Sequence, residues 1–255
     1  MNLNLSMNSV VGYTSHAQMA RVLTETWMRE NMYCPNCGHP TLGQFQNNQP
    51  VADFYCSACG AQYELKSKKE KIGKKINDGA YHTMIQRITS NENPDLFVMS
   101  YSLDQCMVKN LLMIPKFLFT PDIIEKRKPL ADHAQRAGWV GCNILLDKIP
   151  EQGRIAIIKD GTACERTAVV DKVRLMAGLR VKNMEARGWL VDVLSCVNDI
   201  PAQEFTLEQM YQYEQALSQK HPDNNNIRPK IRQQLQVLRD KSFIQFIDKG
   251  VYRKV

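Results

Sequence analysis

The sequence predicts a mixed α/β domain followed by a winged-helix domain. Three observations carry that prediction. Short apolar runs bounded by turn residues recur up to about residue 180, separated by stretches of helical periodicity. Two Cys-x-x-Cys-Gly pairs, Cys34-Pro-Asn-Cys37-Gly and Cys56-Ser-Ala-Cys59-Gly, interrupt the first part. The remainder reads as helix, helix, helix and hairpin, the order of a winged helix. The expected domains are therefore residues 1–182 and 183–255.

The elements follow in order. Ala17, Ala20, Leu23 and Trp27 share one helical face, which predicts a helix over 16–31. VADFYC and QYELK read as two short strands around the turn SACGA. The run KSKKEKIGKK then sets Lys66, Lys68, Lys69, Lys71, Lys74 and Lys75 against a single acid, Glu70. Residues 78–90 read as helix. LFVMSY and KNLLMIPKFLF, rich in aromatic and aliphatic residues, read as buried strands, and IPEQGRIAIIKDG as a strand with a turn on each side. GWLVDVLSCVNDI is a short helical pattern. Thr206 opens TLEQMYQYEQALSQK, and Gln209 three residues on makes a capping box. HPDNNN breaks the chain. Ile227, Ile231, Leu235 and Leu238 mark the buried face of a last helix, and FIQFIDKGVYRKV gives a strand, a turn at Lys249-Gly250 and a second strand.

Composition bounds the function. Apolar residues make up 44% of the 255, enough for a core, which excludes wholesale disorder. The net charge of +7 suits a polyanionic partner, although many solvated surfaces are equally basic. No apolar run approaches the roughly 18–20 residues that span a bilayer, so no membrane partner is expected. The start, MNLNLSMNSVVGYTSH, lacks the charged and apolar regions of a signal peptide. A cytoplasmic location is expected, where thiols stay reduced, and no obligate protein partner is evident. The eight cysteines then read as metal ligands or core residues rather than disulfides.

The short spacer in each pair lets both sulfurs reach one ion, and the glycine suits the tight turn that follows. Cys34, Cys37, Cys56 and Cys59 together give the closed tetrahedral thiolate shell of structural zinc. A redox Cys-x-x-Cys is the competing reading, and two matched pairs with glycine turns argue against it. His39 lies beside the pairs, but four sulfurs already fill the shell. Cys106, Cys142, Cys164 and Cys196 stand singly among apolar residues and are expected to pack in the core.

Between and after the cysteines lie Asp53, Glu64 and Lys66. Glu64 and Lys66 are two apart in a strand and share a face, and Asp53 on the partner strand can point towards them. Paired carboxylates bind a hard cation such as magnesium, which activates water and steadies phosphate charge, and a nearby lysine adds to both effects. Such a set suffices for phosphodiester hydrolysis. A D…ExK string is short and arises by chance. Its setting adds weight, because the cysteine turn joins the strands carrying the acids. A zinc-ribbon winged-helix transcription regulator without catalysis is the alternative, and it has no need of these three residues.

At these residues the chain resembles the DpnI-type restriction endonucleases, which cut GATC when its adenine is N6-methylated. CPNCG, PVADFYC, ELKSKK, INDGAY, RKPLA, RAGW, GCNI, FTLE and IRQQLQ carry the resemblance over nearly the whole chain. It implies a PD-(D/E)xK nuclease core with structural zinc, magnesium-dependent cutting, and a winged helix that also reads the methylated site in double-stranded DNA. Asp53, Glu64 and Lys66 match the family's catalytic triad, with Asp53 and Glu64 as magnesium ligands, and the four cysteines match its zinc ligands. One departure is Pro50, which precedes Asp53 by three residues instead of adjoining it. The family also tends to place an acid on an early helix near the metal; Glu25 is the candidate, though a solvated helix face is expected for it.

The N6-methyl projects into the major groove, and one methyl in a fitted pocket discriminates by roughly 1–3 kcal/mol. Reading by both domains would multiply that. Trp139, in RAGWVG, is the candidate aromatic contact from the nuclease domain, with a core tryptophan as the competing reading. In the winged helix the expected recognition helix is 227–241, with Asn226, Arg228, Lys230, Arg232 and Gln233 as exposed DNA-binding candidates. The lysine run at 66–75 is expected to follow the DNA backbone.

Overall fold

A computed structural model describes residues 1–46, 52–90, 92–181 and 183–255. Pro50 and the first residue of VADFYC lie outside the described residues. The strands in chain order are β1 (Gly43–Gln44), β2 (Phe54–Tyr55), β3 (Gln62–Lys69), β4 (Lys75–Ala80), β5 (Asp95–Ser102), β6 (Met107–Ile114), β7 (Ile124–Lys126), β8 (Gly141–Leu145), β9 (Ile155–Lys159), β10 (Thr162–Ala163), β11 (Glu204–Thr206), β12 (Ile244–Asp248) and β13 (Val251–Lys254). The helices are α1 (His16–Asn31), α2 (Tyr81–Ser90), α3 (Arg166–Ala177), α4 (Met184–Asp199), α5 (Leu207–Tyr211), α6 (Glu214–Lys220) and α7 (Ile227–Asp240).

The larger part is built on a seven-stranded mixed sheet in the order β1-β2-β3-β5-β6-β9-β10. Its centre is β5, in which all eight residues are buried, as expected for a strand covered on both faces. β3 and β5 run parallel, with Glu64 level with Leu96 and Lys66 level with Val98. Parallel neighbours need a crossover. Here β4 and α2 supply it, and β4 leaves the main sheet to pair with β8 in a second, three-stranded sheet, β4-β8-β7. That detour brings Asp78 back beside β3. α1, capped by Ser15, buries Leu23, Thr24, Trp27 and Met28, and the Thr24 hydroxyl lies 3.5 Å from that of Ser67 on β3.

The C-terminal part is a helix-turn-helix domain with a wing. Thr206 and Gln209 form the capping box. Ile227, Ile231, Leu235 and Leu238 are all buried on α7. β12 and β13 turn at Gly250 with φ +72°, where a residue without Cβ is favoured, and β11 completes a three-stranded sheet. α4 packs Leu190, Val191 and Leu194 towards Phe117, Leu118 and Leu179 of the larger part. Gln152 and Asn198 exchange side-chain hydrogen bonds of 2.9 and 2.8 Å across the same joint.

Several elements differ from the sequence reading. Residues 78–80 are strand, since Asn77, Asp78 and Gly79 favour helix poorly and their backbone pairs with β8. β6 stops at Ile114 because Pro115 follows, and Lys116–Leu118 form a 3-10 turn. The lysine run, given no element from sequence, spans two strands: Lys66, Lys68 and Lys69 belong to β3, Glu70 turns the chain at φ +66°, and Lys75 opens β4. The helix expected after Thr206 breaks into α5 and α6. Cys142 and Cys196 are buried as expected, but Cys106 is half-buried in a turn and Cys164 is exposed. Among the described residues no helix is long and apolar enough to cross a membrane.

Candidate active site and metal centre

The four cysteines converge. Cys34 and Cys37 follow α1, and Cys56 and Cys59 form the turn between β2 and β3. Their sulfurs all lie within 4.8 Å of one another, with Cys34–Cys59 and Cys37–Cys56 each at 3.6 Å. Four sulfurs about 2.3 Å from a central zinc would sit about 3.8 Å apart, so the cluster fits that ion. Gly38 and Gly60 take φ +79° and +71°, which explains the glycine after each pair. The backbone N–H groups of Cys59 and Ala58 and the thiols of Cys34 and Cys37 outweigh the opposing effect of burial and pull Cys56 down to about 7.

A polar chain runs from this cluster into the sheet. The Tyr63 hydroxyl lies 3.0 Å from Cys34 Sγ and accepts a 2.8 Å hydrogen bond from Asn36 Nδ2. Asn36 also donates to the buried Asp95, whose other oxygen accepts from the Lys116 N–H at 2.8 Å. The Tyr63 ring stacks on Phe97. The cysteine cluster is thereby fastened to β3 and β5.

Asp53 lies just before β2. Its N–H donates to the Tyr63 carbonyl at 2.9 Å, and its Oδ2 accepts from the Leu65 N–H at 2.7 Å. The pairing of Phe54 with Tyr63, continued by one step, sets Asp53 opposite Glu64. On β3, Glu64 Oε1 lies 2.7 Å from Lys66 Nζ, the same-face pair that alternation requires. The structure thus brings Asp53, Glu64 and Lys66 together.

It also brings Asp78, which the sequence reading did not single out, and Glu25, named there as a candidate but expected to be solvated. Asp78 Oδ1 lies 2.5 Å from Lys66 Nζ, and its side chain is only 8% exposed. Glu25 on α1, expected to be solvated, is instead largely buried beside Asp53. Its side chain is 15% exposed, and its carboxylate accepts from Gln44 at 3.0 Å. The signal for Asp78 was thin: one acid after a lysine run, in a stretch whose periodicity reads as helix. Glu25 carried a signal, an acid on the early helix where the family tends to place one, but a solvated face was preferred for it.

Burial sets the electrostatics. It pushes the Asp53 carboxyl up, opposed by the Leu65 N–H and the Lys66 ammonium. It pushes Glu64 up as well, with Lys66 opposing and Asp78 adding to the rise. Burial works to lower Lys66, but Glu64 and Asp78 outweigh it and the ammonium is held. Glu25 is raised by burial and further by Asp53. Asp53, Glu64 and Asp78 are half-buried carboxylates around Lys66, the type of hard oxygen donor that suits a divalent cation such as magnesium, although among the described residues only the four cysteines bring three or more ligand atoms within 4.8 Å of one another.

Trp139 sits half-buried in the loop between β7 and β8. Arg136 stacks over its ring at 4.7 Å, and Gly141 lies against it so closely that a Cβ there would come within 2.8 Å of the ring. Asn226, Arg228, Arg232 and Gln233 are exposed at the start of α7, whereas Lys230 is half-buried, a correction to the exposure expected of it. Arg228 donates to Glu214 at 2.8 Å and Arg232 to the Tyr211 hydroxyl at 3.0 Å, both at the exposed surface.

The model of DpnI, the Dam-replacing family, matches residues 1–182, and that of DpnI_C, the Dam-replacing HTH domain, matches residues 185–254. The chain belongs to the DpnI family. As a DpnI-family member it is a restriction enzyme with a DNA-binding helix-turn-helix domain at its C-terminal end. The acid–lysine cluster falls within the first match and α7 within the second.

Proposed function

We propose that this DpnI-family chain is a methyl-directed type II restriction endonuclease of the bacterial cytoplasm, hydrolysing double-stranded DNA at GATC sites that carry N6-methyladenine. The observation that carries the catalytic reading is the juxtaposition of Asp53, Glu64 and Lys66, with Glu64 Oε1 2.7 Å from Lys66 Nζ. The target sequence and its methylation come from the family resemblance. In this reading residues 1–182 are a PD-(D/E)xK nuclease domain and residues 183–255 a winged helix.

Asp53 and Glu64 would hold magnesium. When bound, that ion lowers the pKa of a water and offsets charge on the phosphate. The chain's own residues do the rest. The Leu65 N–H fixes the Asp53 carboxylate. The Lys66 ammonium would orient the attacking water and steady the negative charge that grows on the phosphate. Zinc on Cys34, Cys37, Cys56 and Cys59 has a structural role, holding the turn between the strands that carry the acids. Misplacing a reacting group by about 1 Å can cost on the order of 100-fold, which gives the brace its value.

Trp139 is the proposed methyl contact of the nuclease domain. Asn226, Arg228, Lys230, Arg232 and Gln233 are the proposed DNA contacts of the winged helix; arginine suits guanine, and Asn or Gln suits adenine. Incubation with magnesium and plasmids from methylating and non-methylating hosts tests the whole reading. Cutting of the methylated plasmid alone is expected. Cutting of both would overturn the methyl requirement, and cutting of neither would favour a DNA-binding regulator.

A further inference from the structure

We propose that Asp78 is a positioning residue of the active site, holding the Lys66 ammonium in place when the Glu64 carboxylate turns to the cation. The inference rests on the nuclease reading above and deepens it.

Lys66 Nζ has two carboxylate partners, Glu64 at 2.7 Å and Asp78 at 2.5 Å. Their roles cannot be equal. Glu64 stands opposite Asp53 and is the acid that would share a divalent cation with it. An oxygen committed to that cation no longer neutralises the lysine, and the cation adds a positive charge beside a second positive charge. Without another anchor the ammonium would be driven away from the place where the water and phosphate must sit. Asp78 is that anchor. It reaches the lysine from a different sheet, on β4, whereas Glu64 shares β3 with the lysine. The register between β4 and β8 shifts between Asp78 and Ala80, and such bulges re-aim a side chain. The Gly79 N–H donates to Asp78 Oδ1 at 2.7 Å, fixing the same oxygen that meets the lysine. Charge points the same way. Asp53, Glu64, Asp78 and Glu25 against Lys66 and Arg21 leave an excess of two negative charges when all are ionised, which a divalent cation balances.

The test uses the full zinc-loaded chain and the variants Asp78→Asn, Lys66→Met and the double variant. Single-turnover cutting of a methylated duplex in magnesium should slow by about 10–100-fold in Asp78→Asn, with DNA affinity unchanged. In the Lys66→Met background the same change should cost no further rate, because Asp78 acts through Lys66. Equal slowing in both backgrounds would assign Asp78 to the cation directly and overturn the inference, as would an Asp78→Asn protein cutting at the normal rate. Melting of the metal-depleted carboxylate site, read in calcium- and magnesium-free buffer with zinc retained, gives a readout without catalysis. In that buffer Glu64 still holds Lys66, so the fall in melting temperature on Asp78→Asn should be smaller in the Lys66→Met background than in the wild type; an equal fall in both overturns the pairing. If the wild type cuts no DNA, the nuclease reading falls, and the melting comparison still judges the ion pair on its own.

Discussion

Replacing Tyr63 by Phe tests whether the cysteine cluster braces the strands that carry the acids. The substitution keeps the ring that stacks on Phe97 at 4.7 Å and removes one oxygen. That oxygen lies 3.0 Å from Cys34 Sγ and 2.8 Å from Asn36 Nδ2 in a side chain with no exposed surface. With zinc bound, Cys34 is a thiolate and can only accept, so Tyr63 is the donor. A hydrogen bond to a charged group contributes about 1.5–3 kcal/mol. Asn36 keeps its 2.9 Å bond to Asp95, so its loss adds little. The expected cost is therefore about 1.5–3 kcal/mol, and in a chain of this size 1 kcal/mol moves the melting temperature by about 2–4 °C. A fall of about 3–12 °C follows. If the loss falls on the zinc-bound state, zinc should leave about ten- to a hundredfold faster. Calorimetry of the zinc-loaded protein reads the first quantity, and release into a chromogenic chelator reads the second. A Tyr63→Phe protein with unchanged melting and unchanged release would refute the brace.

Three other outcomes are expected. Removing zinc with a strong chelator should abolish cutting and loosen the segment around Asp53, while amide resonances of α7 persist; roughly 10–16 kcal/mol of apparent binding energy is at stake, and cutting that survives complete zinc removal counts against a structural role. Burial holds Asp53 and Glu64 above the ordinary carboxylate range, so calcium affinity of the acidic site should keep rising above about pH 5, and a flat affinity from about pH 5 to about pH 7 would contradict this. The sign for stability is opposite: the fold binds these protons more tightly than the unfolded chain, so this contribution is greatest at low pH and is lost as pH rises through the raised pKa values. Changing the exposed Lys69, Lys71 and Lys74 to Gln should weaken DNA binding evenly across sequences and flatten its salt dependence by about 0.9 per lost phosphate contact; an unchanged slope removes them from the backbone path.

The four-cysteine cluster was legible because its chemistry is local. Two sulfurs three residues apart need no knowledge of the fold, and the glycines after them report the backbone turn directly. The C-terminal domain was legible for a related reason: the capping box at Thr206 and the stripe of Ile227, Ile231, Leu235 and Leu238 are complete within short stretches of chain. Asp78 was not, because its meaning lies in a pairing between β4 and β8, whose facing residues are some sixty positions apart in Asp78 and Cys142. Periodicity saw the apolar face of α2 and extended the helix back over Asp78-Gly79-Ala80. Glu25 was misplaced for the opposite reason. Alternation marked its helix face as polar and therefore as wet, but that face looks into the site.

Lys66 and Asp78 also join two sheets that are otherwise distinct. β4, which carries Asp78, pairs with β8, and β8 begins at Gly141 beneath the Trp139 ring. The lysine is thus tethered to the same small sheet that supports the Trp139 loop. A lineage that altered Gly141, where any Cβ meets the ring, would have to reseat the tryptophan and, through β8 and β4, keep Asp78 in register with Lys66. Changes of target preference and losses of cutting rate should therefore be inherited together at these positions.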